Sequence, residues 1–206
     1  MLVKTQGIVV SYIKFKETSI IVKIFTRELG YKSYILNGVR SAKAKSKMAL
    51  FQPLTLLDLI VYEKANAGIN RISENKLAIA FQRIPFDFHR SSIAMFMADV
   101  MNKSIYENYE NEGLFDFLWE AIKLLDSPEA VLSHFPLAML WESSRYLGFA
   151  PQDAEEFFQE LSSELNNQID FGEESKYLNN LIENSFHYKD KVDGKVRRTL
   201  LDLMIH

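Results

Sequence analysis

Four cations, Arg40, Lys43, Lys45 and Lys47, fall within eight residues of the segment GVRSAKAKSK, with only Ser and Ala between them. Such a run cannot build a core, so it must face water. Around it in sequence stand Lys14, Lys16, Lys23, Arg27 and Lys32, interleaved with Tyr12, Phe15, Phe25, Tyr31 and Tyr34. Cationic groups neutralise phosphates, while aromatic rings stack on unpaired bases. The pattern suits a strand of nucleic acid. Its candidate contacts are Lys14, Lys16, Lys32, Tyr34, Arg40, Lys43, Lys45 and Lys47. Some of the aromatics must be core instead, and Phe25, in phase with Ile21, is the first expected to be.

Catalysis finds no comparable seat. With 0 Cys there is no disulfide, thiol nucleophile, iron–sulfur cluster or cysteine zinc site. His89, His134, His187 and His206 have no acidic or His neighbour at metal-ligand spacing, and both phosphate-cradling glycine motifs are absent. The acidic runs Asp153, Glu155, Glu156 and Glu173, Glu174 read as solvated helix faces and first turns, where carboxylates favour the helix dipole. No cofactor or metal is expected.

The charge is divided along the chain. Residues 1–80 hold 13 Lys/Arg against 5 Asp/Glu, and residues 81–206 hold 11 against 22, so a net charge of -3 conceals +8 followed by -11. That asymmetry points to a polyanion-binding module joined to something else, with boundaries at 1–80 and 81–206. The length and the 48% apolar content fit one large domain or two small ones. Neither a membrane span nor a secretion signal is evident, and a cytoplasmic location is expected.

The elements that would carry these residues change type near residue 80. Alternating apolar residues predict strands over Gly7–Phe15, Ser19–Arg27, Tyr31–Asn37, Leu54–Glu63 and Ile69–Glu74. Five strands with short turns and no intervening helix predict a small closed barrel. A period near 3.6 then takes over. One stripe runs through Ile93, Phe96, Met97, Val100, Met101 and Ile105, and another through Leu114, Phe117, Leu118, Ala121, Ile122 and Leu125. Ser127-Pro128-Glu129 reads as the start of a central helix reaching Phe149, kinked or split at Pro136. Further helices are expected at Asp153–Leu165 and Lys195–Ile205.

Several segments resemble those of the RecO family of recombination mediators. They are Thr5, Gly7, Ile8 and Val9 of T-x-G-I-V, ETSIIVKIFTRELG (Glu17–Gly30), NGVRS (Asn37–Ser41), LFQPLTLLDL (Leu50–Leu59) and LGFAP (Leu147–Pro151). The resemblance implies an α+β multidomain chain, with an N-terminal five-stranded OB-fold barrel followed by an all-α helical domain. It also implies binding of single- and double-stranded DNA near the nucleoid and annealing of complementary strands without bond-making. RecR, the RecA recombinase and the acidic C-terminal tail of single-stranded-DNA-binding protein are the implied partners. An acidic tail ending in an apolar residue needs an apolar pocket with a cation at its rim. In the acidic part of the chain Arg90, Lys103, Lys123 and Arg145 are candidates, with His134 adding charge at low pH.

Two departures accompany the resemblance. Many family members carry a four-cysteine zinc site shortly after the position of LGFAP, whereas Gln152–Lys191 has no Cys, so a member without zinc is expected. The terminal RRTLLDLMIH also suggests a shortened chain. The rival reading is a protein-interaction adaptor whose basic barrel takes acidic peptides.

Overall fold

The computed structural model describes residues 1–40, 45–64, 68–150, 159, 162–163 and 172–176. Five strands come first: β1 (Leu2–Phe15), β2 (Ser19–Thr26), β3 (Gly30–Leu36), β4 (Leu56–Tyr62) and β5 (Asn70–Leu77). A five-residue helix, α1 (Lys45–Ala49), separates β3 from β4. The strands close into a barrel in the order β1-β2-β3-β5-β4, the arrangement of an OB-fold. The 14-residue β1 makes closure possible by pairing with β4 through its first half and with β2 through its second. Gly7 sits where it changes partner. A Cβ there would lie 2.7 Å from both Ile24 and Leu59, so only glycine lets the strand turn over the barrel interior.

The predicted alternation is present in β2. Ile20, Val22 and Ile24 face inward with Val9, Tyr34, Val39, Phe51, Leu57, Leu59 and Val61 to form the barrel core. Phe25 is buried as expected, but outside the barrel. Its ring meets Phe115 edge-on at 5.6 Å between centroids.

Phe115 belongs to α3 (Glu112–Asp126), which follows α2 (Phe88–Ser104). Asp87 caps α2 by accepting from the Arg90 N–H at 3.1 Å, and Asn111 caps α3 through the Leu114 N–H at 2.8 Å. Both apolar stripes lie where the periodicity places them. On α3, Phe115 and Trp119 widen the buried surface beyond the expected stripe.

Ser127-Pro128 does not start a helix. Ser127 is the C-cap of α3, and α4 (Phe135–Leu147) begins with Pro136 in its first turn. The reason is the missing proline N–H, which costs nothing at either a helix exit or an entry but would break an interior bond. α4 closes on Gly148, whose φ of 84° is a left-handed cap.

The chain forms two compact units, Met1–Glu129 and Ala130–His206. The first joins the barrel to α2 and α3. The helix expected at Lys195–Ile205, and nearly all of that at Asp153–Leu165, lie outside the described residues. No helix among the described residues is long and apolar enough to cross a membrane.

Candidate nucleic-acid interface

The turn after β1 and the loop after β3 are tied together at one end of the barrel. The Arg40 backbone N–H donates to the Thr18 carbonyl at 3.0 Å, and its Nη1 donates to the Lys16 carbonyl at 3.1 Å. Ser19 Oγ and Asn37 Oδ1 add a side-chain bond of 3.0 Å. Lys16 holds the turn with a φ of 50°, and its Nζ lies 5.4 Å from the centre of the Phe15 ring. These bonds gather Lys16 and Arg40, with Lys14 two residues away on β1. All three are exposed. None has a carboxylate within ion-pair distance among the described residues. Like charges without a counter-charge make a positive potential that attracts anions.

Lys47, on α1, is also exposed and has no carboxylate within ion-pair distance among the described residues. It lines a groove shared with Arg71 of β5, a cation that the sequence candidates omit. The available signal was its place at the start of the short fifth strand. Lys43 and the side chain of Lys45 lie outside the described residues.

Two candidates are engaged elsewhere. Lys32 Nζ lies 2.5 Å from Glu63 Oε1, with the two side chains only 14% and 20% exposed. Glu63 also accepts from Asn70 Nδ2 at 3.2 Å, so the pair bridges β3 to the chain between β4 and β5. Tyr34 pairs with Val22, faces the barrel interior and is fully buried, which pushes its hydroxyl pKa up. Its ring offers no surface on which a base can stack.

The outer face of β2 and β3 is occupied as well. Tyr31 is buried, its hydroxyl donates to Asn102 Oδ1 at 3.1 Å, and burial, aided by the Glu107 charge, pushes its pKa up to about 12. Glu107 accepts from the Ser33 N–H at 2.9 Å, while the Tyr31 N–H and carbonyl bond to Tyr109 and Asn108. Arg27 forms a two-point bond to Asp116, at 2.8 and 3.0 Å, and lies 3.3 Å from Glu112.

The candidates for peptide docking are placed as follows. Arg90 is buried and directs Nη1 at the Leu125 and Ser127 carbonyls, capping the end of α3. That guanidinium has a structural role. Lys103 pairs with Asp99 at 2.8 Å, Lys123 with Glu120 at 2.7 Å, and Arg145 with Glu142 at 2.9 Å. His134 is the half-buried N-cap residue of α4. An incoming carboxylate must therefore compete with an acid already in place at Lys103, Lys123 and Arg145.

Comparison with known proteins matches the family described as Recombination protein O N terminal over residues 1–81, and Recombination protein O C terminal over residues 85–163. The DNA repair protein RecO of Flavobacterium psychrophilum is 40% identical over 73% of this chain and 63% of its own length. That of Flavobacterium johnsoniae is 36% identical over 98% of this chain and 88% of its own. The corresponding protein of Phocaeicola vulgatus is 38% identical over 73% of this chain and 63% of its own. The matches to the first and third thus span under two thirds of those relatives. A closed barrel in OB order, the helices after it and relatives matched along most of the sequence agree: the chain belongs to the RecO family of DNA repair proteins.

Proposed function

We propose that the protein is a recombination mediator that binds single- and double-stranded DNA without sequence preference, anneals complementary strands and helps to load the RecA recombinase, with no catalytic turnover. The observation that carries this reading is the exposed set Lys14, Lys16 and Arg40, without an acidic partner among the described residues and tied together by the Arg40 bonds to Lys16 and Thr18. Annealing needs the repulsion between two phosphate backbones to be screened while bases stay free to pair. Cations at the rim of a rigid barrel meet the first need.

RecR and the acidic tail of single-stranded-DNA-binding protein are the proposed partners, the tail meeting the helical part through Lys103, Lys123, His134 or Arg145. The division of labour at about residue 80 belongs to the same proposal.

Replacing Lys14, Lys16 and Arg40 together with Ala tests it. The variant should bind mixed-sequence DNA more weakly in both forms. Its dependence of log affinity on log salt should flatten by roughly 0.7 for each single-strand phosphate that is no longer neutralised. Unchanged affinity and slope would remove the barrel end from the DNA interface and favour an adaptor for acidic peptides.

A further inference from the structure

On one side of the closed barrel β3 and β5 diverge. β3 and β5 pair only at Tyr34–Asn70 and Ile35–Arg71, so beyond Arg71 β5 has a strand neighbour on the β4 side alone. The space left on its other side is a groove of about 920 Å³ between the end of β3, α1 and β5. Half-buried Ile35, Leu36, Leu50 and Ile72 line it, backed by Phe51. Its two cations, Lys47 and Arg71, are exposed and have no carboxylate within ion-pair distance among the described residues. Tyr62, the register partner of Arg71 on β4, also lines the groove and remains 47% exposed.

OB-folds commonly take oligonucleotides on the strand 2–3 face. Here that face is covered by Phe115 over Phe25 and by Glu107, Asn108 and Tyr109 along β3. A single strand seeking both cations and an apolar surface is thereby turned to the other side of β3.

We propose that the groove between β3, α1 and β5 is a subsite selective for single-stranded nucleic acid, with phosphates on Lys47 and Arg71 and an unpaired base against Tyr62 and the aliphatic lining. This inference rests on the DNA-binding reading above and adds a source of strand preference to it. A duplex can bring phosphates to the two cations, but its bases are stacked inward and have no face to offer. Glu74, the acid among the described lining residues, disfavours phosphate beside it.

The test uses a mixed-sequence single strand and a duplex of equal length, bound to the whole chain. Tyr62→Ala should lower single-strand affinity about tenfold with duplex affinity held within about twofold, and the double change Lys47→Ala, Arg71→Ala should lower single-strand affinity about tenfold and duplex affinity by less. In the unaltered protein, a strand carrying 5-iododeoxyuridine should photocrosslink at Tyr62, a readout independent of any variant's folding. Equal weakening for both DNA forms would overturn the selectivity. Normal single-strand binding by the groove variants, alongside weakened binding by the Lys14, Lys16 and Arg40 variant, would overturn the subsite and leave the DNA-binding reading standing. Normal binding by all of these variants would remove both. Groove-dependent capture of an acidic peptide, with single-strand binding unaffected, would assign the groove to peptides and overturn the proposal.

Discussion

Two sides of one barrel use the same residue types for opposite ends. Where β2 and β3 meet the helices, Arg27 is held by Asp116 and Glu112, Tyr31 by Asn102, and Phe25 by Phe115. At the turn after β1, the loop after β3 and the groove, Lys14, Lys16, Arg40, Lys47 and Arg71 have no such acid beside them among the described residues. The difference lies in what packs nearby. α3 and the segment before it bring carboxylates to the first side, so part of the negative charge that follows residue 80 neutralises part of the positive charge that precedes it. A charge count by segment overstates what is free to meet DNA. What remains includes the set at the turn after β1, the loop after β3 and the groove.

The sharpest way to break the comparison is to unseal the covered side. Phe115 is fully buried against Phe25 and Trp119, and truncating it to Ala opens a cavity that neighbouring rings cannot fill. Phe115→Ala should cost about 3–5 kcal/mol in urea unfolding. DNA affinity of the folded fraction should be unchanged, because no cation of the open side touches this ring. A cost under about 1 kcal/mol would mean that α3 does not seal the barrel.

A smaller effect is expected where α3 holds the approach to α2. Asp126 accepts from the backbone N–H groups of Gln82, Arg83 and Ile84 at 2.8, 2.9 and 2.8 Å. Burial alone would raise its pKa, but the three donors, aided by the Arg90 charge, outweigh burial and hold the carboxyl below its ordinary value. A depressed folded pKa gives stability that is fully present above the unfolded value of about 3.9 and is lost as pH falls through the folded one. Asp126→Asn should therefore cost about 1–2 kcal/mol at neutral pH, discounted for its partial exposure. The gap from the unaltered protein should stay constant between about pH 7 and 5 and close in acid below about pH 4. A gap independent of pH down to about 2 would show that the charge of Asp126 is not what the three donors hold.

Strand positions and helix stripes are legible in the sequence because alternation and the 3.6 period report burial directly. Besides strand residues of the barrel core, the motifs that carry the family likeness include turns, caps and close approaches. Thr26 Oγ1 donates to the Gly30 carbonyl at 2.8 Å, Gly30 has a φ of 71°, Gly7 clears the barrel interior, Arg40 ties two loops, and Gly148 ends α4. Those positions fix the fold more firmly than the chemistry. The site is less legible, because a cation's partner is set by tertiary packing. Lys32 and Lys14 look alike in sequence, yet only Lys32 finds Glu63, which lies 31 residues away. Tyr34 departs from expectation for a different reason, since its strand phase with the barrel interior outweighs its resemblance to a stacking platform. The exit of α3 is hidden because Ser-Pro-Glu suits a helix entry, and sequence alone does not say which side of the proline is helical.

The finest distinction between the two sides concerns Arg27 and Arg40, two arginines of the same barrel. The Asp116 hydrogen bonds hold Arg27 further above its ordinary pKa, and Arg27 in turn holds the Asp116 carboxyl low, so the pair stays charged well into acid. The Asp116 contribution is present above about pH 3.9 and is lost as pH falls through its lower folded value. Salt is therefore the better probe near neutrality. The two side chains are partly solvated, at 35% and 53% exposure, so the pair is open to screening, whose length shrinks from about 10 Å at 0.1 M to about 3 Å at 1 M. Arg27→Ala should lower Tm slightly at low salt, and the difference should shrink toward about 1 M, leaving only the part carried by the hydrogen bonds and the aliphatic stem. Its DNA affinity should stay within about twofold of the unaltered protein, because the removed cation was already neutralised by Asp116 and Glu112. Arg40→Ala should weaken DNA binding by more and flatten the salt dependence. If Arg27→Ala matched Arg40→Ala in DNA binding, phosphate would have to displace Asp116 from Arg27, and the covered side of the barrel would belong to the interface too.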